Sequence, residues 1–418
     1  RAAPYKRNRI TLLFPRIDRL GGIPRYVRDS ILFDPLSGQG GIDLMNRRIL
    51  FVGGHTGGHL FPAEALAHSI LEMGEGTPVL LDHGRDQEKK VFQKAGMEKV
   101  LAPWRGKGRL SSATKVFAAR KLLREEKIDA VICMGAFPCI APGLAAATLR
   151  KPLFLLEQNR VMGKANRILS LFASKIFLSM PLLKSRRSIR ARSAILGCPV
   201  RDEFQPAGLP EEPLRLVVMG GSQGAREVNQ KVLEIFGHGV APHGTSLDIL
   251  HQIGPREALE PIVDSWAKLG IPARVVPFIQ NPARAMRDAH FVMGRAGGST
   301  LAELNSVGRP SLLFPLRSHS DQHQLHNARY LEDHGSALVF DGQNAAFLAD
   351  QLRQLLGRPD RLCSMVKSAQ ALGSSDASKR IAEMIGVLLR CRETGRMRVP
   401  HVSGENSIHP APRKVKEA

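Results

Sequence analysis

Leu214-Arg215-Leu216-Val217-Val218-Met219-Gly220-Gly221-Ser222-Gln223-Gly224-Ala225-Arg226 is a short apolar run that breaks into glycines and then opens a helical pattern carrying Val228, Val232, Leu233 and Ile235. Strand, glycine turn and helix make the opening unit of a nucleotide-binding α/β sheet. The same plan stands earlier in the chain. Ile49-Leu50-Phe51-Val52 runs into Gly53-Gly54-His55-Thr56-Gly57-Gly58-His59, and a helical pattern follows Pro62 with Leu66, Ile70 and Leu71 on one face. Two such openings in a chain of 418 residues predict two sheets rather than one, because a single core stops growing near about 250–300 residues.

Further strands are predicted at 79–81, 130–134, 153–156 and 175–178 in the first half, and at 246–252, 274–277, 289–293 and 311–314 in the second. Helical stretches alternate with them, as right-handed βαβ crossovers require. Pro206, Gly208, Pro210 and Pro213 break any regular element and mark a boundary. The expected division is a flexible extension, or upstream sequence outside the fold, at 1–45; a first domain at 46–202; a linker at 203–213; a second domain at 214–393; and a disordered basic tail at 394–418. The opening residues have scattered Pro, Gly and Arg and lack the apolar core of a signal peptide.

The net charge of +22 marks an anionic partner: nucleic acid, an anionic membrane surface or phosphorylated substrates. Aromatic residues make up only 5%, too few for a carbohydrate module built on stacked rings. No apolar run approaches the roughly 18 residues of a membrane span. Cys133, Cys139, Cys198, Cys363 and Cys391 form no CxxC pair and no metal-ligand spacing with His, so they read as reduced thiols.

The glycine loops match neither G-x-G-x-x-G nor the P-loop, which leaves NAD and P-loop chemistry weakly supported. A third cluster is more informative. After a strand-like run, Gly294-Arg295-Ala296-Gly297-Gly298-Ser299-Thr300-Leu301-Ala302-Glu303-Leu304 opens a helix. The N–H groups of Gly298, Ser299 and Thr300 could hold a diphosphate, and Glu303, one turn on, could accept from ribose hydroxyls. Read from the residues alone, the alternative is a capping arrangement with Ser299 or Thr300 as N-cap.

These clusters occur in one order with Phe61-Pro62, Glu157-Gln158-Asn159, Gly197-Cys198-Pro199-Val200-Arg201, Asp321-Gln322-His323-Gln324 and Asn327-Ala328. From about residue 47 to 386 the series resembles the MurG family, the UDP-N-acetylglucosamine:undecaprenyl-diphospho-muramoylpentapeptide N-acetylglucosaminyltransferases. The resemblance implies a GT-B fold: α/β, two Rossmann-like doubly wound parallel-sheet domains facing across a cleft. It implies UDP-N-acetylglucosamine as donor, lipid I as acceptor, and inversion at the anomeric carbon. On the same grounds Arg201 and Ser222 would contact the diphosphate, the Ile279 backbone the uracil, and Gly298, Ser299, Thr300, Leu301, Ala302 and Glu303 the diphosphate and ribose. Asn159 and Gln324 would read the sugar hydroxyls, while Thr56, Gly57, Gly58 and His59 close over the donor.

His59 is the candidate base for the muramoyl 4-hydroxyl, since imidazole titrates near neutral pH; the other reading has it only hydrogen-bonding a phosphate or the loop. No Asp-x-Asp pair occurs, so the usual carboxylate clamp for a nucleotide-sugar metal is missing, and no cofactor is expected. Three positions depart from the family pattern: His55 and Ala136-Phe137, where glycine and Gly-Tyr are common, and Cys198, where asparagine is frequent.

Lipid I is membrane-anchored, which implies peripheral attachment at the cytoplasmic face of the cell membrane. Segment 104–127 mixes apolar Trp104, Leu110, Val116, Phe117, Leu122 and Leu123 with Arg105, Lys107, Arg109, Lys115, Arg120, Lys121 and Arg124. Segment 182–192 adds Lys184, Arg186, Arg187, Arg190 and Arg192. Such residues suit an anionic membrane surface; the other reading is a solvated basic face. Nucleic acid is not expected, because stackable aromatics are scarce there. Other cell-wall synthesis proteins are further candidate partners. Two alternative functions stay open: transfer to another lipid such as diacylglycerol, and an inactive UDP-sugar-binding scaffold.

Overall fold

The computed structural model describes residues 11–16, 25–30, 46–53, 57–84, 97–104, 111–221, 223–316 and 322–394. It divides into two units, 1–43 and 44–418. In the first, Thr11–Arg16 (β1) and Arg25–Ser30 (β2) pair antiparallel, from Thr11 opposite Ser30 to Arg16 opposite Arg25. No alternation of apolar residues announces this hairpin.

The second unit holds two parallel sheets. The first is built from Arg48–Val52 (β3), Thr77–Asp82 (β4), Glu98–Leu101 (β5), Ile128–Cys133 (β6), Leu153–Glu157 (β7), Lys175–Leu178 (β8) and Ser193–Ile195 (β9), in the order β5-β4-β3-β6-β7-β8-β9. The second uses Leu214–Met219 (β10), Leu247–Gln252 (β11), Ala273–Val276 (β12), Phe291–Arg295 (β13), Ser311–Phe314 (β14) and Ala337–Val339 (β15), in the order β12-β11-β10-β13-β14-β15. In both, the strand after the crossover back lies on the far side of the first strand, so the loops at the carboxyl ends of the central strands diverge and leave a crevice. The short strands β5, β9 and β15 were not expected from the sequence.

The helices are Gly57–Glu72 (α1), Ser112–Glu125 (α2), Ile140–Thr148 (α3), Lys164–Leu169 (α4), Arg187–Arg192 (α5), Arg226–Phe236 (α6), Glu260–Lys268 (α7), Pro282–Arg287 (α8), Gly298–Val307 (α9), His323–Asp333 (α10), Ala345–Leu356 (α11), Pro359–Leu372 (α12) and Ala377–Glu393 (α13). They cover both faces of each sheet. Ile49 and Phe51 pack in the cluster with α1, while Leu50 and Val52 pack in the cluster with α2 and α3. Leu216 and Val218 face α6 and α11, and Val217 and Met219 face α9 and α10.

Several boundaries differ from expectation. Helix α1 starts at Gly57, so Pro62 lies inside it; only the hydrogen bond to the Gly58 carbonyl is lost, near an end where donors are unpaired anyway. Leu66 and Ile70 are buried as expected, but Leu71 is 38% exposed. Helix α13 does not stay with the second domain. Ile381, Ala382, Ile385 and Leu389 join the core of Ile49, Phe51, Leu66 and Ile70. Gly386 makes the approach possible, since a Cβ there would collide with the Glu75 carboxylate. Arg390 Nη1 donates to the same carboxylate at 2.6 Å. The linker is likewise held by the second domain: Phe204 is fully buried in its core, and Arg309 donates to the carbonyls of Ala207 and Gly208.

Behind the second sheet, Trp266 Nε1 donates to His251 Nδ1 at 3.0 Å, which requires the His251 proton on Nε2, facing Asn229 Oδ1 at 3.1 Å. A second proton would point at the Trp266 N–H, and burial pulls this imidazole down to about 4 from 6.5. Between those values the unfolded chain holds a proton that the folded chain lacks. Stability from this group is therefore complete above pH 6.5 and is lost as pH falls toward 4, by up to about 3 kcal/mol. Urea melts at pH 7 and pH 4.5 should show that loss in the native chain and a smaller one in His251→Gln; equal losses would contradict it.

Candidate active site

The carboxyl ends of β3, β6 and β7 in the first domain and the start of α9 in the second converge on one place. Helix α9 begins with Gly297 as N-cap in an extended conformation, and no side chain caps it. Neither Ser299 nor Thr300 plays the capping part, so the first-turn N–H groups of Gly298, Ser299 and Thr300 have no partner within the helix, and Leu301 is the first to bond back, to Gly297. Unmet donors and the helix dipole together favour an anion there. Leu301 is buried and Ala302 half-buried behind this turn.

Gly298 lies against the first domain: a Cβ would stand 2.7 Å from the Gln158 carbonyl oxygen and 2.9 Å from Gln158 Cβ. Gln158 itself is buried, and its Nε2 has no partner among the described residues. Arg201 approaches from the linker side. Its guanidinium lies 4.4 Å from the Phe61 ring of α1 and 5.0 Å from the Phe204 ring, an arrangement that joins the two domains. Nη2 is 3.5 Å from Glu303 Oε1 and Nη1 is 3.1 Å from Glu203 Oε1, while the buried Nε has no partner among the described residues. Burial pushes the Glu303 carboxyl up to about 7, with Arg201 beside it pulling the other way. Two orphaned donors, an uncapped helix and an arginine at one spot are what a bound diphosphate would satisfy.

On the first-domain side, His59 is the third residue of α1, and its Nδ1 lies 2.7 Å from the Met134 carbonyl oxygen. A carbonyl only accepts, so Nδ1 carries the proton and the neutral ring keeps its lone pair on Nε2. Gly135, at φ 102°, packs on this ring; a Cβ would sit 3.1 Å from His59 Cε1. The next residue, Ala136, holds φ 66° and ψ 169°, a region almost confined to glycine. Ala136→Gly should raise stability by about 1 kcal/mol after the entropy of the added glycine is deducted. Calorimetry would show a higher Tm; an unchanged or lower Tm would mean the turn stores no strain.

Asn159 is held at both ends of its amide. Its Nδ2 donates to Glu157 Oε1 at 3.2 Å, and its Oδ1 accepts from Asn327 Nδ2 across the domains at 2.9 Å. Asn327 also accepts from the Arg160 N–H at 3.0 Å. Glu157 is buried and accepts from the Gly163 N–H and from Asn166 as well; burial pushes its carboxyl up. Gln324 turns its Oε1 to the Leu316 N–H at 3.0 Å. The Ile279 N–H, expected near a base, donates instead to Gln252 Oε1 at 3.1 Å, and Gln252 Nε2 donates to the Gly221 carbonyl at 2.7 Å. This buried glutamine ties the glycine turn to the Ile279 segment.

Gly57, Gly58, His59, Asn159, Arg201, Gly298, Ser299, Thr300 and Glu303 are thus on the elements that converge, whereas Thr56 and Ser222 lie outside the described residues. Sequence reasoning did not single out Phe61, Phe204, Gln158 or Asn327, although three of them stand inside or beside quoted motifs. No group of three or more metal-ligating side chains occurs among the described residues.

The residues expected on the membrane side fall in different surroundings. Leu122 and Leu123 are core residues of α2, and Arg105, Lys107, Arg109 and Leu110 lie outside the described residues. Trp104 is half-buried beside His83, with ring centroids 6.2 Å apart. Of the residues named on α2, Phe117 (71%), Lys121 and Arg124 are exposed, and Lys115, Val116 and Arg120 are half-buried. Phe137, Ile168, Leu171 and Phe172 are also exposed, on the turn and helix packed against α3, which in turn packs on α2. No described helix is long and apolar enough to cross a membrane.

Residues 49–178 match the glycosyltransferase family 28 N-terminal domain, and residues 215–381 match its C-terminal domain. A Coxiella burnetii (strain Dugway 5J108-111) UDP-N-acetylglucosamine–N-acetylmuramyl-(pentapeptide) pyrophosphoryl-undecaprenol N-acetylglucosamine transferase is 34% identical over 359 residues, 80% of this chain and 96% of its own. The enzyme of the same name from Xylella fastidiosa (strain M12) is 34% identical over 361 residues, 81% of this chain and 95% of its own. In fold, the chain is similar to Acinetobacter baumannii MurG (TM-score 0.68, 23% identity, 81% of this chain and 99% of that one). It is also similar to a Neisseria meningitidis UDP-GlcNAc 2-epimerase (TM-score 0.61, 15% identity, 82% and 100%). The two parallel-sheet domains form a GT-B fold, and at 34% identity over 80% of its length the chain belongs to the MurG family.

Proposed function

We propose that this chain transfers N-acetylglucosamine from UDP-N-acetylglucosamine to the muramoyl 4-hydroxyl of lipid I, giving lipid II for peptidoglycan synthesis. The observation that carries the reading is the uncapped start of α9, seated on Gln158 of the first domain and flanked by Arg201 and Glu303. That place suits the donor's diphosphate, with Glu303 in reach of the ribose hydroxyls. The acceptor oxygen attacks the anomeric carbon as its bond to the UDP oxygen breaks, which inverts that centre. His59 Nε2 takes the hydroxyl proton, and the negative charge growing on UDP meets the α9 N–H groups and Arg201. These donors are fixed before the reaction, so little reorganisation opposes the step.

The exposed Phe117, Phe137, Leu171 and Phe172, with Lys184, Arg186, Arg187 and Arg190 on the same domain, support peripheral docking at the cytoplasmic face of an anionic membrane. The donor site is tested by calorimetric titration with UDP-N-acetylglucosamine. Arg201→Ala should weaken binding by about tenfold or more, the loss of a charge-assisted contact of about 1.5–3 kcal/mol. Binding as tight as that of the native chain would remove Arg201 from the donor site.

A further inference from the structure

The amino end of the first sheet, away from the cleft, carries a second concentration of positive charge. A cavity of about 300 Å³ opens there between the starts of β3, β6 and β7 and the end of α13. Arg47, Arg150, Lys151 and Arg392 line it, against a single acid, Asp129. Asp129 is already engaged, its Oδ2 accepting from the Arg48 backbone N–H at 2.9 Å. Arg47 is only 6% exposed and forms the floor of the cavity. Arg392 reaches from the last turn of α13 to donate to the Arg150 carbonyl, so two distant parts of the chain meet at this wall.

Arg150 is the telling position. It follows α3 at φ 54°, with its N–H on the Ala147 carbonyl and the Lys151 N–H on the Ala146 carbonyl. This is the helix stop at which glycine is the easy residue, and a side chain there costs roughly 1 kcal/mol. The chain instead places an arginine at the lip of a basic cavity. Nothing in the transfer reaction uses it, because the five-residue strand β3 separates it from the cleft loops by about 17 Å.

We propose that Arg47, Arg150, Lys151 and Arg392 form a second anion site, which takes a phosphate group. Guanidinium forks match phosphate oxygens in pairs, and a cavity of this size is at the small end of ligand sites, room for a phosphorylated headgroup rather than a nucleotide sugar. The phosphate can be free in solution or belong to a lipid headgroup. The site is independent of the donor chemistry described above.

The test uses the full chain with its cleft saturated by UDP. Inorganic phosphate and glycerol 3-phosphate are titrated by calorimetry, and phosphatidylglycerol vesicles are compared with phosphatidylcholine vesicles by sedimentation. The probe variant is Arg150→Gly with Lys151→Ala, in which glycine suits the left-handed backbone, so folding should be kept; Tm and UDP-N-acetylglucosamine affinity serve as controls. A saturable phosphate isotherm weakened about tenfold or more in the variant supports a soluble ligand, two charge-assisted contacts having been lost. A variant that needs about tenfold more phosphatidylglycerol than the native chain for half-sedimentation, with no change on phosphatidylcholine, with or without a phosphate isotherm, assigns the phosphate to a lipid headgroup. If neither phosphate binding nor vesicle sedimentation differs between native chain and variant, the proposal is wrong.

Discussion

His59→Ala is expected to lower kcat by about 10²- to 10⁴-fold, the usual contribution of a positioned general base. The expectation rests on the Met134 carbonyl, which holds Nδ1 at 2.7 Å and so directs the basic lone pair to Nε2. It also rests on position. As third residue of α1, His59 stands at the carboxyl end of the first sheet's central strand, where α/β sheets bind ligands. Donor affinity separates the two roles open to this side chain. A base acts in the transition state, so calorimetric titration with UDP-N-acetylglucosamine should leave the Kd near its native value while kcat collapses. A group that only grips phosphate would raise the Kd instead. An unchanged kcat would take His59 out of the chemistry and leave the rest of the site intact.

Gly298→Ala should cut kcat/KM by about a hundredfold, the scale of loss when a site is displaced by about 1 Å. On helix propensity alone the change stabilises α9 by up to about 1 kcal/mol. The added carbon, however, meets the Gln158 carbonyl at 2.7 Å and Gln158 Cβ at 2.9 Å, both rigid parts of the first domain. The helix start has to retreat, and the N–H groups proposed to hold the diphosphate retreat with it. Steady-state kinetics paired with thermal melts distinguish the two effects: near-native Tm with lost activity is expected. Native kcat/KM would mean that the domains do not work at this separation.

The strand-turn-helix repeat announced two sheets because it is local: an apolar run, then glycines, then helical spacing, all within about a dozen residues. The family resemblance implied that Arg201, Gly298 and Glu303 share the donor's diphosphate and ribose, and the fold places Arg201 3.5 Å from Glu303. What stayed illegible depends on partners far along the chain. The spacing of Ile381, Ile385 and Leu389 marks an apolar face on α13, but nothing local says that this face crosses to the first domain, where Gly386 meets Glu75. The same holds for Asn327, whose amide is spent on Asn159, and for Phe61, which stacks on Arg201. Leu122 and Leu123 misled for the opposite reason. Beside so many cations they suggest a membrane face, yet their helical phase turns them into the core while Phe117 faces out. Short edge strands such as β9 and β15, of three residues each, carry too little pattern to recognise.

Synthesis of lipid II is the activity expected of this chain. It is tested most directly by following labelled N-acetylglucosamine from its UDP ester onto a lipid I analogue, with EDTA present and diacylglycerol as the competing acceptor. A β-linked disaccharide on the lipid I analogue and no label on diacylglycerol are expected. Tight UDP-N-acetylglucosamine binding without transfer to lipid I, or label appearing on diacylglycerol instead, would contradict it.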